Sequence, residues 1–139
     1  MPAEGLLDFL GWVDNTGARY GVVTNAPRPN AEQELAGIGL AERFATVVIG
    51  DELAHAKPHP LPYLVGLERL GGSAAHSVAF EDSISGIRAA VAAGLAVVGL
   101  TTGLPAERLL QEGAGLAIPH FDDPRLRPFV AACLEGVPA

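Results

Sequence analysis

The sequence predicts an α/β domain, a parallel sheet with helices packed on both faces. Three observations predict it. Short apolar runs alternate with helical patterns four or five times along the chain. Those runs, such as Val78-Ala79-Phe80 and Leu95-Ala96-Val97-Val98-Gly99-Leu100, lack the in-out alternation of a half-exposed strand and suit strands covered on both faces. The chain has 139 residues, enough for one domain with a real core and not for two, so residues 1–139 read as a single domain.

The elements follow in order. Residues 3–16 read as a helix, with Leu6, Leu7, Leu10 and Val13 at helical spacing, Phe9 and Trp12 widening the apolar face, and Gly17 as its stop. Residues 19–24 read as the first strand. The prolines of Asn25-Ala26-Pro27-Arg28-Pro29 forbid its continuation. Asn30 with Gln33 resembles a capping pair and opens a helix to about Ile38. Thr46-Val47-Val48-Ile49 is the second strand. After a loop over residues 50–59, a helix carries Leu61, Leu64, Leu67 and Leu70 on one side and stops at Gly71-Gly72.

The third strand, Val78-Ala79-Phe80, ends in Glu81-Asp82 and turns at once into an Ala-rich helix. Ser83 or Ser85 can cap that helix, and Gly94 can close it in a left-handed conformation. Gly86 allows the helix backbone close to whatever sits above the strand end. Residues 95–100 are the fourth strand, Pro105 opens a short helix to about Glu112, and Leu116-Ala117-Ile118 is a last, weak strand. A helix from Pro124 to Leu134 carries Leu126, Phe129, Val130 and Cys133.

Composition excludes several function classes. Sixteen acidic and nine basic residues give a net charge of −7, and no Lys/Arg cluster is present, which disfavours nucleic acid and anionic membrane as partners. No apolar run approaches the ~20 residues of a membrane helix, and the first residues lack the basic head of a signal peptide. Cys133 is the only cysteine, so an intrachain disulfide is impossible and a reducing cytoplasm fits. With so acidic a chain, a site for an anionic substrate must be built locally, from one Lys, a helix end or a metal.

Three strand ends carry polar residues. The first ends in Thr24-Asn25, the loop after the second holds Lys57, and the third ends in Glu81-Asp82. In a parallel sheet all three meet on the carboxyl edge, where open α/β sheets bind ligands. A hydroxyl with backbone N–H groups, an ammonium and a carboxylate pair suit a phosphoryl group bridged to a hard divalent cation such as magnesium. The bland readings are a β-branched strand end for Thr24, a turn former for Asn25, a surface loop Lys and a solvated acidic loop.

On these motifs the chain resembles the haloacid dehalogenase superfamily, in its phosphoglycolate-phosphatase and β-phosphoglucomutase branch. Val22-Val23-Thr24-Asn25 matches the second family motif, Ala56-Lys57-Pro58-His59-Pro60 the third, and Phe80-Glu81-Asp82-Ser83 with Gly86 and Ala93-Gly94 the fourth; Gly50-Asp51 is also typical. The match runs from about residue 4 to about 124. The resemblance implies a three-layer Rossmann-like core and Mg2+-dependent hydrolysis of a small phosphate monoester. It implies that Thr24, Asn25 and Lys57 bind phosphate, with Thr24 and Lys57 serving catalysis. It also implies that Asp82, with Glu81, holds magnesium.

The family's first motif, an apolar strand ending in Asp-x-Asp-Gly-Thr, is absent. Its first Asp is the nucleophile. Asp14 lies at the end of an amphipathic helix and Asp51 in a loop, so neither replaces it. In the family that strand is central, between the Thr-bearing and the Glu-Asp-bearing strands. Its absence leaves two buried strands that must pair with each other, stay open or recruit a strand from elsewhere. The chain therefore reads as the C-terminal part of a longer phosphatase, inactive alone, in which a homodimer could fill the sheet. The alternative is a non-catalytic phosphate- or magnesium-binding module or regulatory relic. The four histidines, at positions 55, 59, 76 and 120, are scattered and show no ligand spacing such as an i, i+4 pair with Glu, which disfavours a zinc site. Trp12, Tyr20 and Tyr63 read as core, Cys133 as an apolar filler and Arg28 as a solvated turn residue.

Overall fold

The computed structural model describes residues 4–40 and 42–135. Helix α1 spans Leu6–Thr16, strand β1 Val22–Thr24, α2 Arg28–Gly37, β2 Val47–Ile49, α3 Leu61–Leu70, β3 Val78–Glu81, α4 Ile84–Ala92, β4 Ala96–Leu100, α5 Ala106–Gln111, β5 Leu116–Ile118 and α6 Leu126–Glu135. Single 3-10 turns occupy Gly50–Glu52 and Ala74–His76. This is the α/β alternation read from the sequence, and every paired strand is parallel to its neighbour.

The sheet is in two pieces. β1 pairs with β2, and β3, β4 and β5 form a second sheet in that order. Among the described residues no strand lies between β1 and β3, so of the three outcomes open to them they take the second and stay apart.

Alternation along the strands divides the core between two faces. Ala79, Val97 and Ala117 point to one face, where Tyr63 of α3, Ile87, Ala89 and Ala90 of α4 and Leu109 of α5 cover them. Val98 and Ile118 point to the other, where Phe9 and Val13 of α1 and Leu126 and Val130 of α6 close over them, with Val78 and Phe80 packed alongside. Ile87, Val98, Leu109, Ile118 and Leu126 are fully buried, each stabilising the fold by about 1.5–3 kcal/mol relative to exposure. Phe9, Phe80 and Phe121 form a three-ring cluster with centroids 5.4–5.6 Å apart.

Local signals explain several boundaries. Gly17, at φ 79, ends α1, and its N–H donates to the Asp14 carbonyl. Ser83 is the N-cap of α4, its Oγ accepting from the Gly86 N–H at 3.1 Å. Asp123 Oδ1 accepts from the Arg125 N–H just before α6, and Arg125 bonds hold the carboxyl down to about 2.

Other boundaries differ from the sequence reading. α2 begins at Arg28, not at Asn30, and carries no side-chain cap. Pro29 sits in its first turn, where a missing N–H costs nothing, so the prolines that end β1 also start the helix. The first strand is shorter than residues 19–24. α3 buries Pro62, Tyr63 and Gly66, whereas Leu64 is exposed, so the leucine stripe is not its packing face. Gly66 brings the helix onto β1, since a Cβ there would lie 3.3 Å from a Val23 methyl.

Candidate functional site

The carboxyl ends of β1 and β3 meet around one side chain. Lys57 lies in the loop between β2 and α3, and its amine runs inward with only 9% of the side chain exposed. Nζ donates to the Val23 carbonyl at 2.8 Å and to Glu81 Oε2 at 2.5 Å, and lies 5.3 Å from the centre of the Tyr63 ring. The ammonium thus bridges β1 and β3.

Glu81 is the buried charged residue of the core, its side chain 7% exposed. Besides Lys57 it accepts from the Tyr63 hydroxyl, which α3 holds over the strand end. Burial, and then the Glu81 charge, push the Tyr63 hydroxyl far above the ordinary phenol range. Gly86 makes room for this carboxylate, because a Cβ there would lie 1.9 Å from Glu81 Oε1. The close approach anticipated at Gly86 is therefore to Glu81 itself.

Asn25 holds the Lys57 loop. Its Oδ1 accepts from the Lys57 N–H at 3.2 Å and its Nδ2 donates to the Lys57 carbonyl at 3.3 Å. Gly50 permits this approach, since a Cβ there would sit 2.5 Å from Asn25 Oδ1. Thr24 ends β1 half-buried, and its Oγ1 accepts from the Ala26 N–H at 3.0 Å. That leaves the hydroxyl proton free to donate to a ligand.

Asp82 is exposed at the end of β3, and its side chain makes no hydrogen bond or ion pair among the described residues. The structure therefore brings Thr24, Asn25, Lys57 and Glu81 together and leaves Asp82 at the rim. Hard-cation chemistry fits this donor set in part. Asp82 offers unengaged carboxylate oxygens, and magnesium completes its shell with water and phosphate when only one or two carboxylates are supplied. Glu81 is committed to Lys57 and Tyr63, so the direct ligand offered is Asp82.

Two expectations about other carboxylates hold in the geometry. Asp14 ends α1, where Arg43 and the Tyr20 hydroxyl bond it and lower its carboxyl from the usual range. Asp51 is exposed in the turn after β2. Arg28 is not merely solvated, because it pairs with Glu52 at 2.7 Å. Among the described residues, one group of three ligating side chains falls within reach of itself, Glu4 being brought by folding to His120 and Asp122.

Sequence reasoning missed Tyr63 and the Asn25 clamp. A buried tyrosine needs a partner for its hydroxyl, and that rule alone singles out Tyr63 without naming Glu81.

A family model described as haloacid dehalogenase-like hydrolase matches residues 1–100. The phosphoglycolate phosphatase of Rhodospirillum rubrum is 40% identical over 119 residues, which is 86% of this chain and 48% of that protein. The chain thus spans about half the length of the curated relative it matches. Among solved structures, CbbY from Rhodobacter sphaeroides in complex with xylulose-(1,5)bisphosphate superposes with a TM-score of 0.78 at 30% identity, over 87% of this chain and 55% of that one. A HAD hydrolase, family IA, variant 3, from Entamoeba histolytica gives 0.85 at 27% identity, over 94% of this chain and 60% of that one.

Proposed function

The chain belongs to the haloacid dehalogenase-like hydrolases, and on that premise we propose that it is the phosphate-binding core of a Mg2+-dependent phosphatase, acting on a small phosphate monoester such as a phosphoglycolate- or sugar-phosphate-like metabolite. The observation that carries the reading is the Lys57 ammonium, fixed between the Val23 carbonyl and Glu81 at the carboxyl edge of both half-sheets.

In this reading the Thr24 hydroxyl and the Asn25 backbone N–H donate to phosphoryl oxygens, and Lys57 neutralises their charge. Asn25 fixes the Lys57 backbone, so the amine is positioned before ligand arrives and little ordering entropy is lost. Asp82 holds magnesium, with Glu81 tuning the site through Lys57. Magnesium, when bound, neutralises charge on the phosphoryl oxygens. Residues 1–139 act as one domain. No described helix is long and apolar enough to cross a membrane, and the lone cysteine suits a cytoplasmic setting.

Turnover by this chain alone is not expected. Among the described residues the carboxylate paired with Lys57 is Glu81, which is turned into the core and cannot serve as an attacking group. The same pairing favours a second reading, a non-catalytic phosphate- or magnesium-binding module or regulatory relic, because the carboxylate beside Lys57 is buried in an ion pair and offers phosphorus no attacking group.

Calorimetric titration of the 139-residue protein with inorganic phosphate, with and without magnesium, tests the site. Mg2+-dependent binding that Lys57→Ala and Asp82→Asn each abolish is expected, and its absence would refute the site. A parallel assay with phosphoglycolate addresses activity: turnover abolished by Lys57→Ala would overturn the expected inactivity. An in-frame Asp-x-Asp-Gly-Thr coded just upstream of Met1 would decide for the enzyme over the binding module.

A further inference from the structure

Most of the chain separates Glu4 from His120 in sequence, and the fold closes that distance. Phe121, in the turn between β5 and α6, is buried against Phe9 and Phe80. Its backbone N–H donates to the Glu4 carbonyl at 2.9 Å, which fastens the segment leading into α1 to this turn. With Phe121 turned into the core, its neighbours His120 and Asp122 stay outside it, beside Glu4. Gly5 permits the approach. At φ 77 it takes a left-handed conformation, and a Cβ there would lie 2.5 Å from Asp122 Oδ1.

Glu4, His120 and Asp122 each offer one ligating atom, and these atoms all lie within 4.8 Å of one another. The imidazole is not spent on the protein. Its Nε2 is 3.7 Å from Glu4 Oε2, past hydrogen-bond reach, and its Nδ1 is buried without a partner among the described residues. A protonated ring paired with Glu4 would close to hydrogen-bond distance. The observed separation is nearer that of two ligands on one small cation, about 3.3 Å for tetrahedral bonds of roughly 2.0–2.1 Å. The two carboxylates repel each other, and a cation among them removes that repulsion.

We propose that Glu4, His120 and Asp122 bind a divalent transition-metal ion of the zinc type, which clips the start of α1 to the turn after β5. The donor set selects the class. One imidazole with two carboxylates suits zinc and its neighbours, whereas magnesium and calcium take oxygen ligands in a fuller shell, and copper(I) prefers thiolates. Three protein ligands leave the fourth tetrahedral position to water. Histidine spacing could not reveal such a site, because one ligand comes from the far end of the chain. The turn follows β5, which β4 separates from β3. The ion is therefore distinct from the magnesium assigned to Asp82, and the proposal does not rest on the phosphatase reading.

Calorimetric titration of the 139-residue protein with zinc chloride tests it, beside NMR of the histidine rings. One zinc per chain is expected, with the His120 imidazole resonances shifting ahead of those of His55, His59 and His76. Glu4→Gln, a conservative change at an exposed side chain, and His120→Gln should each weaken binding by about tenfold or more, at least what removing an outer-shell partner costs. Asp82→Asn should leave it unchanged. Zinc should raise the melting temperature of the unmodified protein and not that of His120→Gln, since only a ligand bound to the folded state stabilises it. No binding at millimolar zinc, or binding undiminished in either the Glu4 or the His120 variant, would overturn the proposal. So would binding lost in Asp82→Asn, which would put the ion at the phosphate edge.

Discussion

Lys57 and Glu81 form a buried ion pair, Nζ 2.5 Å from Oε2, between two sheets that share no strand. Its partners come from the loop before α3 and the end of β3, so it fixes the carboxyl edges relative to each other.

Breaking one side of this pair leaves a buried charge without its counterpart. Lys57→Met or Glu81→Leu alone should each destabilise by about 3–5 kcal/mol. The double change Lys57→Met with Glu81→Gln should cost much less, because Gln can still accept from Tyr63. Urea denaturation of the three variants measures this, and equal losses in single and double variants would contradict it.

Gly86→Ala places a methyl where the Glu81 carboxylate sits. Glu81 must then move away from Lys57 and Tyr63, at a cost of about 1–3 kcal/mol as overpacking. Phosphate affinity should fall with it. A variant of wild-type stability that keeps the Tyr63–Glu81 hydrogen bond in its crystal structure would show the space to be larger than described.

Tyr63 predicts a limit to stability at high pH. Its folded-state pKa is raised, chiefly by burial, so the fold favours the protonated phenol. The stabilisation is complete below the unfolded value, about 10, and declines as pH rises past it, because only the unfolded chain then releases the proton. Phenolate absorbance should show Tyr63 ionising only on unfolding. Tyr63→Phe should remove this alkaline loss and cost about 1.5–3 kcal/mol at neutral pH through the lost hydrogen bond to a charged group, Glu81 Oε2 then keeping only Lys57. Tyr63 ionising while the fold persists would contradict the burial argument.

Asn25→Ala removes both bonds to the Lys57 backbone. Each contributes about 0.5–1.5 kcal/mol, and the exposed site loses less than a buried one would. Stability should drop by about 1 kcal/mol, while phosphate binding weakens further because the Lys57 loop loses its fixed position. Calorimetry with phosphate beside thermal unfolding separates the two effects; a loss of stability with unchanged affinity would make Asn25 a turn former only.

The legible parts of the fold were those that short-range rules govern. The Ser83 cap, the Gly17 and Gly94 stops and the buried run at β4 depend on residues a few positions apart, and all stand in the structure, whereas β3 alternates between half-buried Val78 and Phe80 and buried Ala79 and Glu81. The start of α2 was misplaced because Pro29 satisfies two rules at once, ending a strand and opening a helix. The packing face of α3 was misplaced because contact with β1 selects the small residue Gly66 over the larger leucines. At the site, residue types and strand ends marked Thr24, Asn25, Lys57, Glu81 and Asp82. Their division of labour was hidden, since Glu81 meets Lys57 and Tyr63 across 24 and 18 positions of sequence.

A gap between β1 and β3 also bears on how the molecule melts. Among the described residues the β1–β2 half meets the rest through side chains and helix packing, among them the Lys57–Glu81 and Asp14–Arg43 pairs, the Tyr63–Glu81 and Tyr20–Asp14 hydrogen bonds and the packing of α3 against both β1 and α4. Backbone hydrogen bonding does not cross from one half to the other through a shared strand, so heat can loosen β1, β2 and α2 while β3–β5 persist. Calorimetry should therefore record a transition broader than all-or-none unfolding allows, with a van't Hoff enthalpy below the measured heat.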